Sequence, residues 1–188
     1  MNRAIDRLAD DLRLPALRPL VRHWLALFHA RGSIPVLSDL DPLQFAASMR
    51  HAWIIDADAD ADADGGFRFR LSGEALIEWY GFSLKGKRYE DVFPPITLPS
   101  VIESTRRVLR EPAAVYQAMT ARMPDWSEPA ALERIGLPLC AADGQIVHML
   151  GATVFEQRVY NGKGSIDTAI NTEYWYGLPG AAGGAALT

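Results

Sequence analysis

The residues whose type and spacing most suggest chemistry are five aspartates that alternate with alanine. They are Asp56, Asp58, Asp60, Asp62 and Asp64, and two glycines follow them. An EF-hand calcium loop needs oxygen ligands at alternate positions, a glycine at the sixth position and a two-oxygen glutamate at the twelfth. Counted from Asp60, the acids and Gly65 match, but the twelfth position is Leu71, so the closing ligand is missing. We interpret the repeat as a solvated connection that attracts cations weakly, and we expect no metal site.

The residue combinations that catalysis commonly uses are missing from the sequence. We find no nucleophile paired with a base, no paired catalytic carboxylates and no glycine-rich phosphate loop. Ser72 lacks the glycine two positions before it that a nucleophile elbow requires. Glu74 fits an acid in the first turn of a helix, where the helix dipole favours it. We therefore expect no catalytic residues and no enzyme.

Composition narrows the class of protein. The chain has 188 residues, 49% of them hydrophobic, which is enough for one domain with a core. A net charge of -4 with no basic face argues against nucleic acid as a partner. The single Cys140 cannot form an internal disulfide, and the N-terminus lacks the pattern of a secretory signal. No segment approaches the ~20 apolar residues that span a bilayer, so we expect a cytoplasmic protein with no membrane partner.

Hydrophobic periodicity predicts helices before, and strands around, the aspartate repeat. Two helices are expected near the N-terminus, the second with an apolar stripe of Leu20, Trp24 and Phe28 and an end at Gly32. A short helix capped by Asp41 follows. Residues 51–56 and 67–71 have strand character, so the aspartates join a hairpin.

The remaining periodicity predicts helices over 73–80 and 99–110, and then three strands. These strands are expected over 115–122, 132–140 and 145–159, the last two joined by a tight turn at Asp143 and Gly144. The order implies an α+β fold with a five-stranded antiparallel sheet, helices on one face and an N-terminal helical cover on the other. We divide the chain into an N-terminal helical extension (1–41), the sheet domain (42–160) and a flexible C-terminal tail (161–188).

The layout resembles a PAS domain, and particular residues resemble a bacterial PAS-like subfamily of stand-alone sensory proteins once classed as a domain of unknown function. The matching pieces are Trp24, Arg31-Gly32, Pro35, Asp39-Leu40-Asp41-Pro42, FRFRLSGEAL (67–76), Gly81, LKGK (84–87), Glu111-Pro112, LPLCAADG (137–144) and HMLGATVF (148–155). Together they cover roughly residues 20–156. The resemblance implies short helices that enclose a small cavity against the sheet, used to sense a ligand or hold a partner, and it does not imply an enzyme.

The identity of any cofactor stays unknown at this level. A flavin photosensor of the LOV kind needs a cysteine in an Asn-Cys-Arg motif on a helix, whereas Cys140 is expected at a strand end. A haem sensor usually places a histidine on the helix that faces the cavity, and residues 99–110 contain none. LOV-type flavin and haem are therefore disfavoured.

Five residues are candidates to bind a small ligand: Arg70, Trp79, Tyr80, Tyr116 and His148. Each has a structural alternative. Arg70 can pair with Glu74 or cover the outer side of the sheet. Tyr116 can be an ordinary strand residue, and His148 can be a hydrogen-bonded packing residue in its strand. Trp79 and Tyr80 are adjacent on one short helix, so we expect at most one of them to face inward.

The leading hypothesis is a sensory module that binds a small apolar or mixed ligand and passes its occupancy on through the N-terminal helix. Because we see no kinase, cyclase or DNA-binding segment in the sequence, we expect the signal to go to another signalling protein or to a second copy in a dimer. The exposed remainder of the helix between Leu20 and Phe28 is the expected contact. The first alternative is an interaction adaptor whose own side chains fill the cavity. The second, less favoured, is a small-molecule enzyme.

Overall fold

The computed structural model describes residues 2–57, 66–122, 128–156 and 167–178, which form an α+β fold around a seven-stranded sheet. The strands are β1 (Asn2–Ala4), β2 (Ala52–Ala57), β3 (Phe67–Ser72), β4 (Ala113–Arg122), β5 (Ala130–Cys140), β6 (Ile146–Phe155) and β7 (Asp167–Gly177). The α-helices are α1 (Leu8–Asp11), α2 (Arg18–Arg31), α3 (Glu74–Tyr80), α4 (Tyr89–Val92) and α5 (Leu98–Arg110). Short 3-10 helices cover Ile5–Arg7, Pro15–Leu17, Leu37–Asp39 and Pro42–His51.

The strands lie side by side in the order β1-β7-β4-β5-β6-β2-β3. Strands β2 to β7 pair antiparallel, and only the three-residue β1 pairs parallel, along β7. The turn between β5 and β6 contains Gly144 at φ 86°, a backbone conformation that glycine adopts without steric cost. This turn is the hairpin that the sequence predicts.

Helix α2 covers one face of the sheet and ends at Gly32, whose φ of 68° lets the chain turn left-handed. Its apolar stripe of Leu20, Trp24 and Phe28 is buried together with alternate residues of β5 and β6, among them Ile135 and Leu150. The indole Nε1 of Trp24 donates to the carbonyl oxygen of Pro138 at 3.0 Å. The predicted N-terminal cover is confirmed.

The segment after α2 is held to that helix by polar contacts. The Asp41 side chain caps the start of Pro42–His51 by accepting from the backbone N–H of Leu43 at 3.0 Å. The Ser48 hydroxyl accepts from the N–H of Leu20 and donates to the carbonyl oxygen of Ala16. The predicted helix here is a 3-10 helix with a kink at Phe45.

Helices α3, α4 and α5 cover the opposite face. Gly73, just before α3, lies against the backbone carbonyls of Met49 and Arg50, where a Cβ atom would collide with both oxygens. Gly81, with φ 77°, ends α3 as predicted. The two helical layers therefore enclose the sheet between them, as the α+β prediction requires.

The sheet is larger than predicted, and the prediction for the C-terminus is wrong. The five predicted strands are β2 to β6, and β1 and β7 extend the sheet beyond β4 to seven strands. Residues 167–177, assigned to a flexible tail, form β7, which pairs with β4 from Asp167–Arg122 to Gly177–Ala113. A bulge in β7 at Asn171 interrupts the alternation of its side chains, which hides the strand from a search for period-two patterns.

Parts of the predictions fall on residues that the structure does not describe. Asp58, Asp60, Asp62 and Asp64 lie outside the described residues, as do 161–166 and 179–188 of the predicted tail. Within the described ranges, no helix is both long and apolar enough to cross a membrane.

Candidate functional site

A cavity of about 100 Å³ lies between the sheet and helices α3 to α5. Its walls are mostly aromatic and aliphatic. The aromatic residues that line it are Trp53, Phe69, Trp79, Tyr80, Tyr89, Phe93 and Phe155. A cavity needs roughly 10–15 Å³ of this kind of space to hold one water molecule, so this one has room for a ligand of several non-hydrogen atoms.

The floor of the cavity carries a polar row across the central strands. Gln117 on β4 is directly opposite Arg134 on β5, and Arg134 is directly opposite Thr153 on β6. All three line the cavity. Gln117 is also paired with Glu173 on β7, so the polar row continues onto that strand. Side chains directly opposite on one face are close enough to interact.

Most members of this row are bonded to one another or to nearby tryptophans. The Gln117 amide Nε2 donates to Glu173 Oε2 at 2.7 Å, and the Trp175 indole donates to Glu173 Oε1. The Trp53 indole Nε1 donates to the Thr153 hydroxyl at 3.0 Å. These bonds satisfy buried donors that burial would otherwise leave without partners.

Trp53 forms one wall of the cavity because the neighbouring strand β6 has a glycine at the point of contact. Gly151 on β6 is opposite Trp53, and a Cβ atom there would collide with the indole ring and with the carbonyl oxygen of Ile135. Glycine therefore lets the indole lie close to the sheet. This placement brings the Trp53 N–H to Thr153.

A ring cluster forms the wall under α4. Tyr89 contacts Phe69 and Phe93, with ring centroids 5.5 Å and 5.2 Å away. Its hydroxyl shares a 3.0 Å hydrogen bond with the Thr105 hydroxyl on α5. Burial raises the pKa of Tyr89 to about 12, so the phenol is neutral at physiological pH.

Two of the five predicted ligand residues line the cavity. Trp79 stacks on Phe155 with ring centroids 4.0 Å apart, and Tyr80 lies beside it on α3. The expectation that at most one of the two faces inward is wrong, because both side chains line the cavity.

The other three predicted residues lie away from the cavity. The Arg70 Nε donates to Asp56 Oδ1 at 2.8 Å, and His148 Nδ1 lies 2.8 Å from the same oxygen. Tyr116 is buried on the face that α2 covers, where burial, reinforced by the charge of Glu133, raises the pKa of its hydroxyl. The structure therefore brings Arg70 and His148 together at Asp56, outside the cavity.

The single cysteine, which could carry redox chemistry, also lies outside the cavity. Cys140 is buried in the core under α2, and burial raises the pKa of its thiol. Across the described ranges, no three His, Cys, Asp or Glu side chains are grouped so that they could hold a metal ion.

The sequence analysis missed the polar floor of Gln117, Arg134 and Thr153. Each is a polar residue inside a predicted strand, with apolar residues on both sides of Gln117 and Thr153 and on one side of Arg134. If both faces of a sheet are covered, a polar residue in a central strand has no solvent to face and becomes a candidate for a binding site. That signal was available from the sequence.

Comparison with solved structures gives distant similarity. The PAS domain of Bordetella pertussis BvgS is 15% identical, with a TM-score of 0.44 over 63% of this chain and 89% of that one. A light-oxygen-voltage domain studied with a flavin analogue is 14% identical, with a TM-score of 0.42 over 60% and 82%. PAS-B of Drosophila melanogaster Cycle with bound glycerol is 16% identical, with a TM-score of 0.38 over 55% and 98%.

Comparison of sequences is more informative. No curated protein matches the chain. The PAS domain family matches residues 12–154, a stretch that includes α2, the helices around the cavity and strands β2 to β5 with nearly all of β6. The chain belongs to the PAS domain family.

Proposed function

We propose that the chain is a sensory signalling module that holds a small ligand between the sheet and α3 to α5 and relays its occupancy through protein contacts. Membership of the PAS domain family supports the sensory role. The observation that carries the ligand proposal is the cavity of about 100 Å³ with its aromatic walls and polar floor. Ligand sites typically combine apolar walls with a few polar groups in this way.

The relay uses the sheet that separates the cavity from the N-terminal cover. Arg134 faces the cavity, whereas Ile135 and Leu137 on the same strand pack under α2. The Trp24 indole is bonded to Pro138, also on β5. Because α2 packs on β5, a ligand that shifts β5 also changes the contact between β5 and α2. A packed layer that has two arrangements can pass on such a shift.

The proposed partner surface lies on the N-terminal cover. Arg22, Ala26 and His29 are exposed on α2, and Leu43 in the neighbouring 3-10 helix is 83% exposed. An exposed leucine beside a polar helix face suits a contact with another signalling protein or with a second copy of this chain.

An interaction adaptor without a ligand is the second candidate function. The exposure of Leu43 favours it, because a contact surface can work whether or not the cavity is occupied. In this case the cavity side chains close on one another and no small molecule is retained. A small-molecule enzyme is the least supported candidate, since the lining residues that the structure describes do not include a nucleophile bonded to a base.

Native mass spectrometry of freshly purified protein tests the ligand proposal. We expect an additional mass that Ser104→Phe removes, because Ser104 on α5 lines the cavity and a phenyl ring would fill it. Glu103→Phe places the same ring at an exposed position of α5 and is the matched control. A bare mass for the wild-type protein, together with no shift on adding small molecules, would support the adaptor instead.

A further inference from the structure

The guanidinium of Arg134 has no partner for its charge within the described residues. Its Nε is buried and makes no hydrogen bond. Arginine carries N–H donors in a planar fork and has no acceptor of its own. A buried donor or charge without a partner destabilises a protein, so its retention at this point calls for an explanation.

Among the described residues, five other arginines are paired with carboxylates, and two more, Arg18 and Arg106, have a buried Nε without a partner but do not line the cavity. The pairs are Arg31–Asp39, Arg50–Glu78, Arg70–Asp56, Arg88–Glu90 and Arg107–Glu111. These pairs all involve residues near the protein surface, whereas Arg134 lies in the floor of the cavity. Among the lining residues that the structure describes, Arg134 is the one with a formal charge at neutral pH.

Two acceptors of the polar row, on Glu173 and Thr153, receive hydrogen bonds from donors other than Arg134. Glu173 accepts from Gln117 and from Trp175, and the Thr153 hydroxyl accepts from Trp53. The Tyr89 and Thr105 hydroxyls are bonded to each other. None of these bonds involves Arg134, and an acceptor supplied by the occupant of the cavity would satisfy its buried Nε.

We infer that the ligand of this cavity is a small carboxylic acid with an apolar, planar body. This inference rests on the proposed function, because it names the class of ligand for the same cavity. The carboxylate matches the planar fork of Arg134 and can form two parallel hydrogen bonds with it. The body fits against aromatic walls such as the stacked rings of Trp79 and Phe155.

Other ligand classes fit this arrangement less well. A neutral apolar molecule would leave the buried Arg134 Nε without an acceptor. A cation would be repelled, and a phosphate dianion would find one cationic side chain in a mainly apolar enclosure. A monoanionic acid offers a carboxylate to Arg134 in the floor and an apolar body to the aromatic walls.

Three probes with the same ring separate these classes: benzoate, benzyl alcohol and benzylamine. Titration by calorimetry at neutral pH measures their dissociation constants for the full chain. Because hydrogen bonds to charged groups are stronger than neutral ones, we expect benzoate to bind roughly tenfold to a hundredfold more tightly than benzyl alcohol. Benzylamine is expected to bind most weakly.

Two substitutions of Arg134 test whether its guanidinium fork is responsible for the preference for benzoate. Arg134→Met keeps most of the length without charge and is expected to remove the preference for benzoate. Arg134→Lys keeps the charge but loses the fork and is expected to restore part of the preference. Arg70→Met is the matched control, because Arg70 lies outside the cavity and pairs with Asp56. It should leave all three dissociation constants unchanged.

Each result decides the inference separately from the proposed function. Equal binding of benzoate and benzyl alcohol, or an unchanged preference in Arg134→Met, overturns the acid inference and leaves a ligand-binding cavity in place. Benzoate binding that survives Ser104→Phe places the acid elsewhere on the chain and also overturns it. If none of the three probes binds, the acid inference fails, and native mass spectrometry decides alone whether the cavity holds a ligand.

Discussion

The two faces of the sheet differ, although alternate residues of the same strands build both. On the face under α2, large side chains such as Leu17, Leu20 and Trp24 are 0% exposed and pack into a closed core. On the other face, aromatic walls and a polar floor surround a cavity of about 100 Å³. The comparison shows that alternation assigns side chains to a face, but the elements laid over that face decide whether it is filled.

The covering helices explain the difference. Helix α2 has 14 residues and lays one continuous apolar stripe along the sheet. Helices α3 and α4 have seven and four residues, and with α5 they surround the cavity. We therefore expect substitutions under α2 to affect stability most, and substitutions in the cavity to affect stability less.

The largest expected effect comes from the closed face. Trp24→Ala removes a fully buried indole and its hydrogen bond to Pro138, so we expect a loss of about 3–5 kcal/mol in the free energy of unfolding. Urea denaturation measures it. Arg22→Ala, on the exposed side of the same helix, should change the value by less than about 0.5 kcal/mol. Similar costs for both variants would mean that α2 does not close this face.

Tyr89 on the cavity face should make the stability of the protein depend on pH in the alkaline range. The folded pKa of Tyr89, about 12, is above its ordinary value of 10.0, so the folded state keeps the proton after the unfolded state has lost it. The contribution of Tyr89 to stability is complete below pH 10 and is lost as the pH rises toward 12. We expect a loss of roughly 2–3 kcal/mol across that window.

Tyr89→Phe isolates this contribution. Its free energy of unfolding should fall less steeply than that of the wild-type protein above pH 10. Tyr116→Phe is the matched variant on the closed face, where the pKa of Tyr116 is also raised, so it should flatten the profile independently. Parallel profiles for the wild-type protein and Tyr89→Phe would show that the Tyr89 phenol titrates alike in both states.

The contact between Trp53 and Gly151 gives a smaller effect on the cavity face. Gly151→Ala forces the indole away from the sheet, and we expect a cost of about 1–3 kcal/mol together with a shifted tryptophan emission spectrum. Gly177→Ala is the control, because a Cβ atom at this strand glycine has no neighbour within 4 Å. An alanine that is tolerated equally at both positions would contradict the close approach of Trp53.

The smallest expected effect tests the hydrogen bond between Trp53 and Thr153 in the polar floor. Thr153→Val keeps the shape but leaves the buried Trp53 N–H without its acceptor, so we expect a cost of about 1–2 kcal/mol. In a Trp53→Phe background the same substitution should cost much less, because the donor is already gone. An equal cost in both backgrounds would show that Thr153 acts by packing and not by this bond.

Much of the fold could be predicted from local patterns. The stripe in α2, the alternation around Phe67 and the turn at Gly144 each identified an element that the structure contains. These features depend on residues close in the chain, and the sequence contains all of them. Strand β7 could not be found in this way, because the bulge at Asn171 breaks its period and its partner β4 is distant in sequence.

The candidate site was only partly predictable. Trp79 and Tyr80 were identified because large aromatic residues on a short inserted helix are good wall candidates. Arg134 was missed because its neighbour Glu133 is also charged, which makes the segment resemble a solvated strand. In the structure, the Glu133 carboxylate lies on the opposite face and accepts from the backbone N–H of Leu14. Of these two charged neighbours, only Arg134 lines the cavity.

The sequence alone determined most of the helical and extended segments up to residue 156, which residues are apolar, and where glycines permit turns. Only the tertiary structure decided that Gln117, Arg134 and Thr153 are neighbours, because strand pairing joins residues that no local pattern connects. It also decided that Arg70 and His148 are joined at Asp56 outside the cavity. A binding site depends on such pairings, since its chemistry comes from groups that meet across strands.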